Sequence, residues 1–360
     1  MASKVRFGII GTGGIANAHA TGLKALADDA EIVSCCDIDP ARAEDFANRW
    51  EVENHFTSAK TMLDRGGLDI VCVCTPHPQH HEPLIMAAER GIGGVVEKPM
   101  TNTLADADKV LEASAKYGTL LSSMSQRRWF PAAQKLRKAI DDGKLGGKIV
   151  MGESYCEMWR DEAYYKRGAW RGRWDTEGGG VMTNQSPHNV DFLLWYAGPA
   201  VELKAYWANV NHPYVEVEDN AVTILKLKSG GLGIIKGTVS MNPPRRIHGV
   251  TLVGDTGPTV SLDCWEIPPE RRKIRSGPSD VGSNDIWTIP GERGMTQEEA
   301  IDYGSGELPN YHAYQLRDVI QAFREKREPA VTGLDGRRVV AVIQGIYESG
   351  RTGLPVKLSD

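Results

Sequence analysis

The chain has 360 residues, 41% of them apolar and 25% charged, with a formal net charge of −5. That length accommodates two domains, each with a core of its own. The mixed charge offers no basic face to nucleic acid, and no window approaches the ~20 unbroken apolar residues of a membrane span.

The opening MASKVRFGII enters a strand at once, without the features of a secretory leader. VRFGII (5–10) predicts that strand, and a helix follows from about Ile15 to Ala27. EIVSCCD (31–37) predicts the second strand, with a helix opening at Pro40, a residue suited to a first helical position. LDIVCVCT (68–75), a helix over about 79–89, GGVVEKP (93–99), a helix over 104–117 and TLLSSMS (119–125) complete the first part. Near-continuous apolar strands joined by helices predict a parallel sheet covered on both faces. Cysteine pairs inside IVSCCD and IVCVCT, with Cys156 and Cys264, read as buried free thiols of a cytoplasmic protein.

Beyond residue 126 the pattern changes. A helix over 130–141 and a strand over 147–157 lead into VELKAYWANV, NAVTILKLKS, GLGIIKGTVS and RRIHGVTLVG. Gly, Asn and Pro turns separate these runs, which predicts antiparallel pairing. Residues 265–308, rich in Pro, Gly, Ser and charge, read as a surface insertion. Two helices, about 309–326 and 335–350, and a short VKL strand end the chain. The fold class is α/β, with domains over 1–126 and 127–360.

GIIGTGGIANAHA places Gly11-x-Gly13-x-x-Ala16 after a strand and at a helix start. Gly11 permits a tight turn, Gly13 lets the backbone approach a pyrophosphate, and Ala16 lets the helix sit close to the sheet. The helix N-terminus, around Gly14 and Ile15, offers N–H groups and a positive dipole end to the anion. The next strand ends at Asp37, whose carboxylate suits both ribose hydroxyls of NAD and repels the 2′-phosphate of NADP. Arg42 lies within reach of such a phosphate, so NAD is the expected cofactor and NADP the alternative. The third strand ends in Thr75-Pro76-His77-Pro78-Gln79-His80-His81, where no Asp, Glu or Cys completes a ligand set at metal-like spacing. No metal is expected there. Thr75, Pro76, His77 and His80 join the candidate cofactor contacts, as does Gln126 at the domain border.

The fourth of these strands ends in Glu97-Lys98-Pro99, and a Lys at the carboxyl edge of such a sheet points into the ligand crevice. Glu-Lys-Pro in that place, after a Gly-x-Gly-x-x-Ala turn and a Thr-Pro strand end, resembles the Gfo/Idh/MocA family. These are sugar and polyol dehydrogenases, with relatives of other function. The resemblance continues through Arg127-Arg128, Gly178-Gly179-Gly180 and Gly254-Asp255-Thr256-Gly257 to the C-terminal helices. It implies an N-terminal Rossmann dinucleotide-binding domain and a C-terminal α/β domain with a large, mostly antiparallel open sheet. Through that sheet copies are expected to pair as a homodimer or homotetramer. It also implies that Lys98 touches both nicotinamide ribose and substrate hydroxyl, and Glu97 beside it joins the candidate cofactor contacts. An ammonium there stabilises developing alkoxide; the alternative is a salt-bridged strand end.

GGGVMTNQSPHNVDFLLWYAG (178–198) then carries a polar knot before an apolar run. A helix opening at Thr183 places Asn184 and His188 four apart on one face, with Asp191 three beyond and in reach of the same imidazole. The resemblance implies an acid here and, four residues later, a His, which together assist proton removal from the hydroxyl being oxidised. His188 matches and Asn184 departs, because an amide orients but takes no proton. His188 is then the expected general base, with a packed helix-start histidine as the alternative. SYCEMWRDEAYYKRGAWRGRW (154–174) interleaves aromatic and basic residues. Its aromatic faces suit a sugar ring and its arginines suit hydroxyls or an acidic group; it equally suits an arm packed on this subunit or a neighbour. Lys98, Arg127, Trp159, Arg160, Tyr165, Trp174, Asn184, His188 and Asp191 are the candidate substrate contacts. The expected activity is NAD-dependent oxidation of a secondary hydroxyl of a sugar, glycoside or cyclitol. The alternatives are an NAD-dependent glycosidase working by transient oxidation, or a non-catalytic sugar or nucleotide sensor, which the presence of both Lys98 and His188 disfavours.

Overall fold

The computed structural model describes residues 3–242, 248–267, 280–303 and 307–359. The chain begins with β1 (Val5–Ile10), α1 (Ala16–Ala25), β2 (Ala30–Cys36), α2 (Pro40–Trp50), β3 (Asn54–Phe56) and α3 (Ala59–Arg65). It continues with β4 (Ile70–Val73), α4 (His81–Ala88), β5 (Gly93–Val96), α5 (Leu104–Tyr117) and β6 (Leu121–Ser123). The six strands are parallel in the order β3-β2-β1-β4-β5-β6, the doubly wound order of dinucleotide-binding sheets. Every residue of β4 and β5 is buried, as a sheet covered on both faces requires. Asp39, Ser58 and Thr103 cap α2, α3 and α5 through their side chains. The β3–α3 segment is an addition to the elements expected from sequence.

The second part holds α6 (Pro131–Asp141), β7 (Ile149–Glu157), α7 (Glu162–Tyr165), α8 (Pro187–Ala197), β8 (Ala200–Ala208) and β9 (Asn220–Leu227). Then come β10 (Leu232–Thr238), β11 (His248–Gly254), β12 (Thr259–Glu266), β13 (Asp280–Ser283) and α9 (Gln297–Tyr303), followed by α10 (Tyr311–Glu325), α11 (Gly333–Thr352) and β14 (Val356–Lys357). Among the described residues eight strands form a second sheet, ordered β13-β12-β11-β7-β10-β9-β8-β14, in which only β7 and β10 run parallel. The stretch 265–308, expected as an irregular insertion, contributes the edge strand β13 and the helix α9. Residues 268–279 and 304–306 of it, and Arg245–Ile247 of the run expected before β11, lie outside the described residues.

Two compact units result, and the N-terminal stretch of the first ends at Gln126. The segment Glu307–Arg337, expected in the second domain, belongs to the first unit instead. The reason is packing and polar ties. A Cβ on Gly22 of α1 would lie 3.1 Å from the backbone of Ala313, so a side chain there would push α10 back by a few tenths of an ångström. Asn310 caps α10 and donates to the Ala18 carbonyl at 3.0 Å. Gln315 accepts from the Ser125 N–H at 2.9 Å and donates to the Ser123 carbonyl at 2.8 Å.

In the second unit, α8 lies on the large sheet through a buried polar tie. Ser154 Oγ donates to the Asn189 carbonyl at 2.8 Å, and Asn189 Oδ1 meets His248 Nδ1 at 2.8 Å. The helix opens at Pro187, not at Thr183 as its sequence suggests, because a π-turn occupies Val181–Gln185. The buried carboxylate of Glu218 shapes that turn by accepting the N–H groups of Gly180 and Met182 at 2.8 and 2.9 Å and the Tyr347 hydroxyl at 2.9 Å. Burial pushes Glu218 up to about 7 against those three hydrogen bonds.

Asp191 lies one turn further on and receives Arg128 in a bidentate pair at 2.9 and 2.5 Å, with both side chains at most 6% exposed. The carboxylate expected at substrate is therefore committed to an ion pair that anchors α8. Asp191→Asn leaves the guanidinium short of its counter-charge. It should cost ~3–5 kcal/mol in urea unfolding, whereas Arg128→Met combined with Asp191→Leu should recover most of that loss.

Candidate active site

The carboxyl ends of β1, β2, β4 and β5 carry the first set of candidate residues. Gly11 has a φ of 86°, and a Cβ there would stand 2.8 Å from the Cys74 carbonyl carbon. The exit of β1 thus presses against the exit of β4, which no residue with a side chain permits. Gly13 and Gly14 differ: a Cβ on either meets nothing within 4 Å. That open space lies at the mouth of α1, which starts without a side-chain cap. An uncapped helix start beside open space fits a pyrophosphate. Ile15 is partly exposed, and Ala16 is fully buried where the helix meets the sheet.

Asp37 follows β2 and ties back to the glycine turn. One carboxylate oxygen accepts Thr12 N–H at 2.9 Å and Thr12 Oγ1 at 3.0 Å, and the other accepts Asp39 N–H at 3.1 Å. A carboxylate has about four acceptor sites, so capacity remains for a ribose hydroxyl. Arg42 is exposed and pairs with Asp39 at 3.5 Å.

After β4, Thr75 Oγ1 donates to the Gln79 carbonyl at 3.2 Å and closes a short turn through Pro76 and the buried His77. His80 is fully buried, with Nδ1 3.0 Å from the Pro99 carbonyl and Nε2 2.7 Å from the Thr75 carbonyl. It is a cross-tie between the β4 and β5 exits, and burial lowers its pKa. His81 stands 3.9 Å from Asp106.

Glu97 closes β5 and is 6% exposed. Its Oε1 lies 2.8 Å from His19 Nε2 of α1 and 3.4 Å from His312 Nε2 of α10, and its Oε2 accepts the Lys98 N–H at 3.3 Å. Burial disfavours charge on Glu97, but its contacts with His19 and His312 outweigh burial and hold it well below the usual carboxylate range. Burial also works against a protonated His19, which is nevertheless raised above its ordinary value beside Cys74 and Glu97. Cys74 is itself pushed up by burial and stays a thiol, so the charge that matters to His19 is that of Glu97. His312 is lowered by burial and stays neutral. Ligand atoms of the three side chains lie within 4.8 Å of one another, the make-up of a two-His, one-carboxylate metal site, which sequence spacing did not suggest. Their ion pair already gives each charge a partner. Glu97, expected at the cofactor, instead faces inward and fixes the peptide carrying Lys98, which joins Pro99 through a cis bond.

The second unit carries the remaining candidates. His188 stands in the first turn of α8 and is 6% exposed. Asn184 lies in the π-turn, where its Nδ2 donates to Glu177 Oε1 and, at 3.4 Å, to the Tyr164 hydroxyl. Gln185 Nε2 donates to the same hydroxyl at 2.7 Å, as does Arg171. Arg160 donates to Gln185 Oε1 at 3.2 Å and lies 4.7 Å from the Tyr164 ring centroid. Of this cluster, sequence reading singled out the aromatic arm that holds Tyr164 and the polar knot that holds Gln185, but not Glu177. The aromatic residues of the arm pack on protein: Trp174 on Trp207 and Tyr347, Trp159 on His212, and Tyr165 on His212 and Tyr214. Arg127 pairs with Asp280 at 2.7 Å, and Gln126 opens a short 3₁₀ turn.

Residues 5–124 match a family described as an oxidoreductase family with an NAD-binding Rossmann fold, and residues 133–259 match the GFO/IDH/MocA C-terminal domain. The chain belongs to the Gfo/Idh/MocA oxidoreductase family. It is 25% identical to D-apiose dehydrogenase of Paraburkholderia graminis over 97% of this chain and 88% of that enzyme. It is 27% identical to myo-inositol 2-dehydrogenase of Thermotoga maritima over 68% of this chain and 70% of that enzyme. Among solved structures, the WlbA dehydrogenase of Bordetella pertussis, in complex with NADH and UDP-GlcNAcA, is 28% identical with a TM-score of 0.83. That match covers 99% of this chain and all of the other. This Gfo/Idh/MocA protein is an NAD-dependent oxidoreductase. Among its described residues no helix is long and apolar enough to cross a membrane.

Asp37→Ala removes the acceptor beside the glycine turn. The ratio of kcat/KM with NAD to that with NADP should fall by about tenfold or more; steady-state kinetics with the two cofactors checks this.

Proposed function

We propose that this protein oxidises a secondary hydroxyl of a sugar, glycoside or cyclitol. Lys98 holds the hydroxyl oxygen and stabilises the negative charge that develops there. His188 takes the hydroxyl proton, and Asn184 orients the reacting group. NAD supplies the hydride acceptor. One observation carries the reading: a lysine at the carboxyl end of β5, its peptide fixed by a buried carboxylate, in the same unit as an uncapped glycine turn with room for a diphosphate. The substrates in the names of its relatives, a pentose and an inositol, agree in offering secondary hydroxyls. The WlbA complex adds UDP-linked amino sugar acids to the candidates. Arg160 and Arg171, gathered around Tyr164, favour an anionic group on the substrate.

We also propose that copies associate through the outer face of the eight-stranded sheet, in the cytoplasm, where six free buried cysteines remain reduced. Tyr206, Val222, Ile224 and Leu232 are 72%, 56%, 59% and 54% exposed on that face. Tyr206 is paired across the sheet with Val222, and Ile224 with Ile234. Lys226–Glu202 and Lys236–Glu153 flank this apolar stripe, an arrangement that suits a self-complementary surface.

Two experiments test these readings. A panel of free sugars, glycosides, inositols and UDP-linked uronic acids, followed by NADH absorbance, should yield at least one substrate. Lys98→Ala should lower its turnover by at least about a hundredfold while NAD affinity, read by fluorescence titration, stays near wild type. Full turnover in that variant would dispose of the assignment, and glycosidic cleavage without net NADH would favour the glycosidase. Separately, Tyr206→Lys with Ile224→Lys should convert the assembly to monomers in sedimentation velocity without lowering the melting temperature of the fold.

A further inference from the structure

The Asn184 amide has two chemically different ends. One donates and the other accepts, and a half-turn exchanges them. Which end faces a bound molecule therefore depends on what grips the other. We propose that Glu177 is a positioning residue that fixes this choice, so that Asn184 presents its carbonyl oxygen to the hydroxyl being oxidised. The proposal rests on the assignment of Asn184 and His188 to that hydroxyl.

Glu177 is 1% exposed. Its Oε2 accepts the Gly172 N–H at 2.5 Å and its Oε1 accepts Asn184 Nδ2. An ionised carboxylate has no hydrogen to give, so only the NH₂ end of Asn184 is tolerated on that side. The second hydrogen of the same NH₂ points to the Tyr164 hydroxyl, already surrounded by Gln185 Nε2 and Arg171. With both N–H bonds directed into this cluster, Oδ1 is the end of the amide that Glu177 and Tyr164 do not hold. An acceptor is the end that an alcohol O–H, or a protonated imidazole, engages. Glu177 and Tyr164 exert their effect here through Asn184.

The backbone holds both partners in place. Gly172 has a φ of 73°, and a Cβ there would stand 2.7 Å from Val215, so its N–H is presented to Glu177 by a turn that only glycine makes comfortably. Asn184 sits in the π-turn organised by Glu218. Each partner is thus positioned independently before the two side chains meet.

Glu177→Gln distinguishes this role from plain structural support. The introduced glutamine can still accept the Gly172 N–H through its oxygen, but its own NH₂ then confronts that of Asn184, and the Asn184 amide turns over. In this variant kcat/KM for the alcohol should fall about tenfold or more, with NAD affinity and melting temperature near wild type. Adding Asn184→Asp restores an oxygen on both sides of residue 184, so Glu177→Gln/Asn184→Asp should recover activity to within a few-fold of wild type. Unchanged kinetics in Glu177→Gln, or a loss that the second substitution does not repair, would overturn the proposal.

Asn184→Asp alone reads the same contact without turnover. It sets two carboxylates against each other beside Tyr164, Arg160 and Arg171, and such a pair holds one proton well above the usual carboxylate range. A raised acid pKa gives stability that is present at low pH and lost as pH rises through the new value. The melting temperature of Asn184→Asp, relative to wild type, should therefore fall on going from about pH 5 to pH 8. The difference should vanish in Glu177→Gln/Asn184→Asp. A flat difference would overturn the proposal even if Glu177→Gln fails to fold. Because that titration needs no substrate, a failure of the dehydrogenase reading, seen as turnover surviving Lys98→Ala, remains distinguishable from a failure of this one.

Discussion

A carboxylate stays charged inside a protein only where donors replace the water it has lost. Glu97 meets that condition, and the geometry of the first unit follows from it. Its charge is matched by His19 in the first turn of α1, and its second oxygen holds the peptide of Lys98. The helix that opens beside the glycine turn and the strand end that carries the lysine are therefore tied by one buried ion pair. His312 closes the third side from α10. That contact gives a physical reason for the chain to return: the segment Glu307–Arg337 is part of the first unit because it completes the environment of an acid far back along the chain. Breaking one partner of such a pair strands a buried charge, which is far more costly than the pair is stabilising.

The second unit uses buried carboxyl groups to shape a helix entrance. Glu218 collects two backbone N–H groups and the Tyr347 hydroxyl, which turns the chain before α8 into a π-turn. Asp191 takes Arg128 and holds the helix by its first two turns. Glu177 takes Gly172 and Asn184. Each acid consumes polar groups that an apolar core would leave orphaned, and each selects one backbone path over its neighbours. The polar residues crowded into the start of α8 are thus of two kinds. Asn189 and Asp191 fasten the helix to the sheet and to Arg128, while Asn184 and Gln185 turn toward Tyr164 and Glu177.

This division explains what was legible in the sequence. The glycine turn, Asp37 and Glu97-Lys98-Pro99 are local signals, each written in a few adjacent residues at the end of a strand. The parallel pairing of the first sheet and the mostly antiparallel pairing of the second follow from strand composition and turn spacing, whereas the strand order and the parallel β7–β10 pair do not, and the break after Gln126 falls where that composition changes. Partnerships at long range were not legible. Asp191 is 63 residues from Arg128 and Glu218 is 38 from Gly180, so no periodicity announces that one anchors the helix and the other bends its approach. β3, three residues long, is too short to show alternation. Glu97 and His80 lie at strand ends, where cofactor contacts are expected; burial and their partners show that they support those ends from within.

The amide at position 184 departs from the pattern that the family resemblance leads one to expect, and electrostatics makes it the consistent choice here. Two carboxylates in hydrogen-bond contact cannot both ionise, and Glu177 already occupies the buried side of that contact, held by the Gly172 N–H. An acid at 184 would have to share its proton with Glu177. An amide does not: it satisfies Glu177 with its NH₂ and has no proton to share. One carboxyl group is thereby kept at this place but moved seven residues back along the chain and out of solvent. At position 184 the amide thus gives up the ability to take a proton and gains a fixed orientation against Glu177.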